Sequence, residues 1–179
     1  MNTQLEALSE ELRDIIERAK NLGQSAGDLA TRPGKDSWSA VECVEHLNIT
    51  ARSYVAEFTH LLARSALPPA RDKYRMSFWG WVLTRMMEPP VKRGFPTQAG
   101  FFPPSDLNPV TVFADFERLH MELRRQLTQL AAFDLGRLRI PSPFNARIKY
   151  NLFSAFKLIT SHARRHLWQA EQAVDRAAA

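Results

Sequence analysis

Four stretches of this chain place apolar residues every three to four positions, and that pattern limits the fold more than any other feature of the sequence. The first runs from about residue 3 to 22, with Leu5, Leu8, Leu12, Ile15, Ile16, Ala19 and Leu22 on one side. The second follows "SWSAVEC". Ser39 is an N-cap, Glu42 three residues later completes a capping box, and Trp38 before the cap can staple onto Cys43. Its face carries Val44, Leu47, Ala51, Tyr54, Val55, Phe58, Leu61 and Leu62, to about residue 65. The third opens at Asn108-Pro109 and shows Val112, Phe116, Leu119, Leu123, Leu127 and Leu130. The fourth, from about residue 151 to 176, shows Leu152, Ala155, Phe156, Ile159, His162, His166, Ala170 and Ala173. A helix with one apolar stripe must bury it against another, and four of them predict an all-α four-helix bundle forming a single domain over residues 1–179.

The connections add topology. Residues 66–108 are rich in proline and aromatic residues, and their centre, "YRMSFWGWVLTRMM", predicts one short helix between proline-bounded turns. So long a crossover can carry the chain back the roughly 40 Å length of a bundle helix. The second and third bundle helices can then run parallel, and an up-down-down-up order follows. The crossover is apolar enough to require a packing partner, either the bundle itself or a second subunit. The link "FDLGRLRIPSPFNARIKY" precedes the last helix, and nothing reads as a strand except "LRI" within it.

With 45% hydrophobic and 24% charged residues, the chain has the composition of a globular protein. No apolar run reaches the roughly 20 residues of a membrane span, and the opening "MNTQLEALSEELRDII" is too acidic for a signal peptide. The single Cys43 excludes an internal disulfide and fits a cytoplasmic location. The net charge of +5 is scattered, with "RR" at 124–125 and 164–165 as the densest points. Neither a nucleic-acid partner nor a membrane is expected from it.

Chemistry is concentrated in "SHARRHLWQAEQ". His162 and His166 are four apart on the buried stripe, one above the other. Five histidines would produce only about 0.1 such pairs by chance. Two imidazoles in an apolar seam need polar partners, and a shared metal ion is one solution. His46, at the border of the second helix's apolar face, is the best third ligand. His120 competes with it, Cys43 lies one turn from it, and His60 is expected near the surface. Arg164 and Arg165 are expected on other faces of the helix. Glu42 and Glu45 read as a cap and a solvent-facing side chain rather than as a general base.

"SWSAVECVEHLNITARSYV" followed by "ITSHARRHLWQAEQ" resembles the DinB-like superfamily, which includes the YfiT-type metal-dependent hydrolases. The shared features are Trp38 with Ser39, His46 before Leu47, and His162, His166 and Gln169. The resemblance implies an up-down-down-up bundle, often a homodimer, holding a divalent metal (Zn, Ni, Fe or Mn) with His46, His162 and His166. It further implies a hydrolase, or a transferase that uses a low-molecular-weight thiol, acting on a small-molecule substrate. A metal-binding bundle without catalysis, serving as a sensor or interaction module, is the alternative.

Overall fold

The computed structural model describes residues 2–25, 27–64, 66–90 and 97–177; part of the crossover, residues 91–96, lies outside them. Helix α1 spans Thr3–Gly23 behind Asn2, whose side chain accepts the Leu5 N–H. Helix α2 spans Ala40–Leu62, and its capping box is present. Ser39 Oγ accepts the Glu42 N–H at 3.3 Å while the Glu42 carboxylate accepts the Ser39 N–H at 2.8 Å. Helix α4 spans Pro109–Leu130 with Asn108 as its cap, and α5 spans Leu152–Ala177 with the Ser154 N–H bonded to Asn151 Oδ1. Between α2 and α4 lies the short α3, Phe78–Met87, capped by Ser77.

Side-chain contacts fix the helix directions. Glu11 meets Lys157 and Thr160, and Arg18 meets Glu171, so α1 and α5 run parallel. Asn48 meets Val112 and Arg52 meets Asp115, while Gln126 reaches Val55 and Thr59, so α2 and α4 also run parallel. His46 pairs with His162 and Phe58 with Phe156, which makes α2 and α5 antiparallel. The bundle is up-down-down-up, with the crossover supplying the return.

Part of that crossover packs on the bundle. Gly80 lies flat against Ser154, and a Cβ there would overlap the serine side chain. The Ser77 N–H also donates to Ser154 Oγ at 2.9 Å. This close approach seats α3 on α5, while Phe78, Trp79 and Trp81 face solvent. The link before α5 holds more strand than "LRI" suggested. It forms a hairpin in which β1 (Arg139–Pro141) pairs antiparallel with β2 (Lys149–Asn151), Ile140 opposite Tyr150. Three residues are too few to show alternation, which is why "KYN" does not read as a strand. Tyr150 Oη meets Tyr54 Oη at 2.6 Å and closes one end of the α2–α5 seam.

The buried residues form two clusters. One gathers Leu12, Phe58, Leu123, Leu127, Leu130 and Phe156; the other gathers Val44, Leu47, Val112, Phe116, Ala163 and Leu167. Many arginines are matched by acids, among them Arg18 with Glu171, Arg71 with Asp134 and Arg125 with Glu122. Among the described residues, no helix is long and apolar enough to cross a membrane.

Candidate metal centre

The capping box starts α2 at a fixed residue and therefore fixes where His46, two turns on, projects. From the facing helix come His162 and His166, one turn apart. All three side chains are buried, and each offers a ring nitrogen within 4.8 Å of the others. His46 Nε2 and His162 Nε2 are 3.2 Å apart. The rings stand at steep angles, with centroids 5.1 Å apart for His46 and His162 and 4.6 Å for each of them with His166.

Hydrogen bonds determine which nitrogen of His46 carries its lone pair. His46 Nδ1 is 2.8 Å from the carbonyl oxygen of Phe101. A carbonyl only accepts, so Nδ1 carries the proton and Nε2 faces the other imidazoles with a free pair. The acceptor belongs to the crossover. Gly100 just before it holds φ at +92°, a conformation that glycine takes without strain, in the turn where the Phe101 N–H bonds to the Gln98 carbonyl. The Trp38 ring packs on His46 at 5.1 Å and His166 at 6.0 Å. It does so besides packing against the cluster that contains Cys43.

The electrostatics keep the rings neutral. Burial pushes the His46 imidazole below its ordinary value; the Phe101 bond opposes that shift and Arg165 reinforces it. Burial depresses His162 and His166 much further. For His162 the next causes are His46, Arg165 and His120; for His166 they are His162, His46 and Arg165, with Gln169 opposing. Although Gln169 interacts with the His166 ring, Nδ1 of that ring has no hydrogen-bond partner of ordinary geometry. Three buried imidazoles whose ring nitrogens converge, one with a buried nitrogen that lacks a hydrogen-bond partner, leave polar demand that the protein does not meet. The set suits a divalent ion. Two nitrogens each 2.0–2.1 Å from a tetrahedral ion lie about 3.4 Å apart, close to the His46–His162 spacing.

The other candidates separate from this group. His120 is buried, bonds the Phe116 carbonyl through Nδ1 at 2.9 Å and stacks on the Phe116 ring. Burial holds its pKa down at about 4 despite that bond. Cys43 lines a cavity beside the triad but contributes no atom to the cluster. Burial first, and then the charge of Glu42, raise its thiol to about 12, so it remains protonated. His60 is exposed, as its position suggested.

Arg164 lies on another face of the helix from the histidines, as expected, half-buried between Glu11 and Glu88. Two expectations need correction. Glu45 is buried rather than solvent-facing, bonded to Asn48 and Arg52. Arg165 is buried and lines the cavity in front of the triad instead of pointing to the surface. That cavity measures about 900 Å³, with Trp38, Leu83, Met87, Phe102 and Phe144 among its walls. Neither the Phe101 carbonyl nor the position of Arg165 had a signal in the sequence. Trp38 did, as the residue before the cap, though not as a ring facing imidazoles.

The fold has a solved counterpart. The chain is similar to YfiT from Bacillus subtilis, described as "a probable metal-dependent hydrolase with an unusual four-helix bundle topology". The TM-score is 0.61 at 16% identity, over 98% of this chain and 89% of that one. At that identity the likeness is one of fold. No curated protein matches the sequence. Residues 4–170 match the DinB superfamily, and the protein belongs to that superfamily.

Proposed function

We propose that this protein is a metal-dependent hydrolase of small molecules whose divalent ion is held by His46, His162 and His166. The observation that carries the reading is the convergence of three buried, neutral imidazoles at the wall of a 900 Å³ cavity. The YfiT description supports the same chemistry. A divalent ion with open positions supplies a Lewis acid and an acidified water.

The protein's own part is to hold the three rings still. Phe101 fixes the His46 tautomer, as partners behind a ligating histidine do, and Trp38 restricts the tilt of His46 and His166. The antiparallel α2–α5 seam brings the third imidazole to the pair. A purely structural ion would be enclosed by protein ligands, whereas this triad faces a cavity large enough for a substrate. That openness favours catalysis over a sensor or interaction role.

The test is turnover of a panel of activated carboxylic and phosphoric esters by chelator-treated protein reloaded with Zn, Ni, Fe or Mn. The expected result is hydrolysis that returns with metal, needs no added thiol and is lost in His162→Ala. Turnover that appears only with a low-molecular-weight thiol would replace hydrolysis by thiol transfer. Turnover unchanged in His162→Ala would remove the reading.

A further inference from the structure

The cavity beside the triad is much longer than it is wide. Its α5 wall runs from Leu158 through His162 and His166 to Arg176, about 27 Å at 1.5 Å per residue. A sphere of the same 900 Å³ would be only about 12 Å across, so the space is a groove along the helix. The two α5 histidines stand part-way along it, with an arm on either side.

The two arms differ in character. Toward the N-terminus of α5 the wall consists of Leu158, Leu83 of α3, Phe144 and Ile148 of the hairpin turn, and Tyr54. Helix α3 follows α5 in the same direction, Gly80 at Ser154 and Met86 at Arg165, which sets Leu83 near the level of Leu158. Leu83, Ile148, Tyr54 and Leu158 also pack in one apolar cluster. Polar atoms of this arm already have partners. Tyr54 Oη pairs with Tyr150, Ser142 Oγ accepts the Phe144 N–H, and Asn145 Oδ1 accepts the Arg147 N–H. Toward the C-terminus, α5 contributes Gln169, Gln172 and Arg176, and the loop before α2 contributes Asp36 and Ser37. These polar groups stand beside the rings of Trp38 and Trp168. Asp36 and Arg176 are exposed, so this arm reaches water. An apolar arm and a hydrogen-bonding arm that meet at three imidazoles match a molecule divided in the same way.

We propose that the substrate is a medium-chain acyl conjugate, an ester of a small polar alcohol or an amide of a small polar amine. The acyl chain lies along Leu158, Leu83 and Ile148, the polar part lies by Gln172 and Asp36, and the acyl carbon sits at the triad. Hydrolysis breaks the bond between the acyl carbon and its heteroatom. Water gives its oxygen and one hydrogen to that carbon, and its other hydrogen to the leaving heteroatom. The rise of α2 from His46 to Tyr54 is about 12 Å, which suits an acyl chain of about eight carbons. This assignment of substrate class rests on the hydrolase reading, which places the scissile bond at the histidines.

Calorimetry with N-acyl serinamides of two to twelve carbons, on chelator-treated protein that cannot consume them, tests the assignment. Affinity should rise about threefold to fourfold per methylene and level off near eight carbons. N-Octanoyl serinamide should bind at least about tenfold more tightly than N-octanoyl propylamine, which lacks the polar part. Ile148→Trp, which fills the apolar arm, should move the levelling point to shorter chains and retain wild-type metal uptake. If Ile148→Trp fails to fold, the levelling point in the wild type still decides. Affinity independent of chain length, a rise that continues to twelve carbons, or equal binding of the serinamide and the propylamide overturns the proposal. So does a levelling point that Ile148→Trp leaves in place. Chain-length selection in protein that takes up no metal would keep the acyl groove as a binding site and remove the hydrolase reading. Metal-dependent ester turnover without chain-length selection would remove the acyl groove alone.

Discussion

The α2–α5 seam is built in two different ways along its length. At one end Phe58 meets Phe156 with ring centroids 4.8 Å apart, and Tyr54 and Tyr150 satisfy each other's hydroxyls. About three turns away the same two helices present His46 to His162 and His166. Spacing, helix direction and burial are alike at both ends. The aromatic end is buried and internally satisfied, so it supplies stability. The imidazole end keeps an orphaned nitrogen and a buried guanidinium, and opens onto a cavity. A bundle can therefore hold an incompletely satisfied polar site if the next turns of the same helices are well packed, the usual opposition between stability and function.

The comparison can be broken at either end. Phe58→Ala should cost about 3–5 kcal/mol in chemical denaturation, because a fully buried ring leaves a cavity. Metal uptake per folded molecule should not change. A loss below about 1 kcal/mol would mean that the aromatic end is not the stabilising one.

The next effect in size is acid sensitivity at His120, behind the site. In the unfolded chain this imidazole takes a proton near pH 6.5, but in the folded protein only near pH 4. The unfolded state therefore binds more protons between those values. Its contribution to stability is complete above pH 6.5 and is lost as the pH falls toward 4, on the order of 3 kcal/mol. His120→Gln should flatten that part of the stability–pH curve, measured by denaturation at fixed pH steps. An unchanged slope would show that the ring is not buried in its neutral form.

The smallest expected change sharpens the contrast. His166→Leu removes a nitrogen with no hydrogen-bond partner and fills its place with apolar volume. Metal-free His166→Leu should be within about 1 kcal/mol of wild type, or more stable. A large destabilisation would show that the imidazole end contributes to stability as the aromatic end does.

Much of this was legible in the chain before its structure. Helix stripes follow from the 3.6-residue period, and the caps at Ser39 and Asn108 mark the starts of α2 and α4. The pair His162 and His166 shows in its spacing, and His46 follows from its place on the facing stripe. Less legible were features created by the crossover. Residues 39–48 are buried on every side, which no single stripe predicts, and Glu45 is among them. Arg165 is one residue, about 100° of helix, from His166; a charge in that position normally turns outward, and here α3 covers it. The Phe101 carbonyl could not be foreseen, because a backbone acceptor in a loop carries no side-chain signature.

The central claim is that three imidazoles from two helices form one metal site. Calorimetric titration of Zn into chelator-treated full-length protein tests it most directly, with wild type, His46→Ala, His162→Ala and His120→Gln run side by side. The account predicts one ion per chain in the wild type and in His120→Gln, and affinity weaker by more than about a hundredfold in His46→Ala and His162→Ala. Absence of binding in the wild type, or equal binding in His46→Ala, would contradict it.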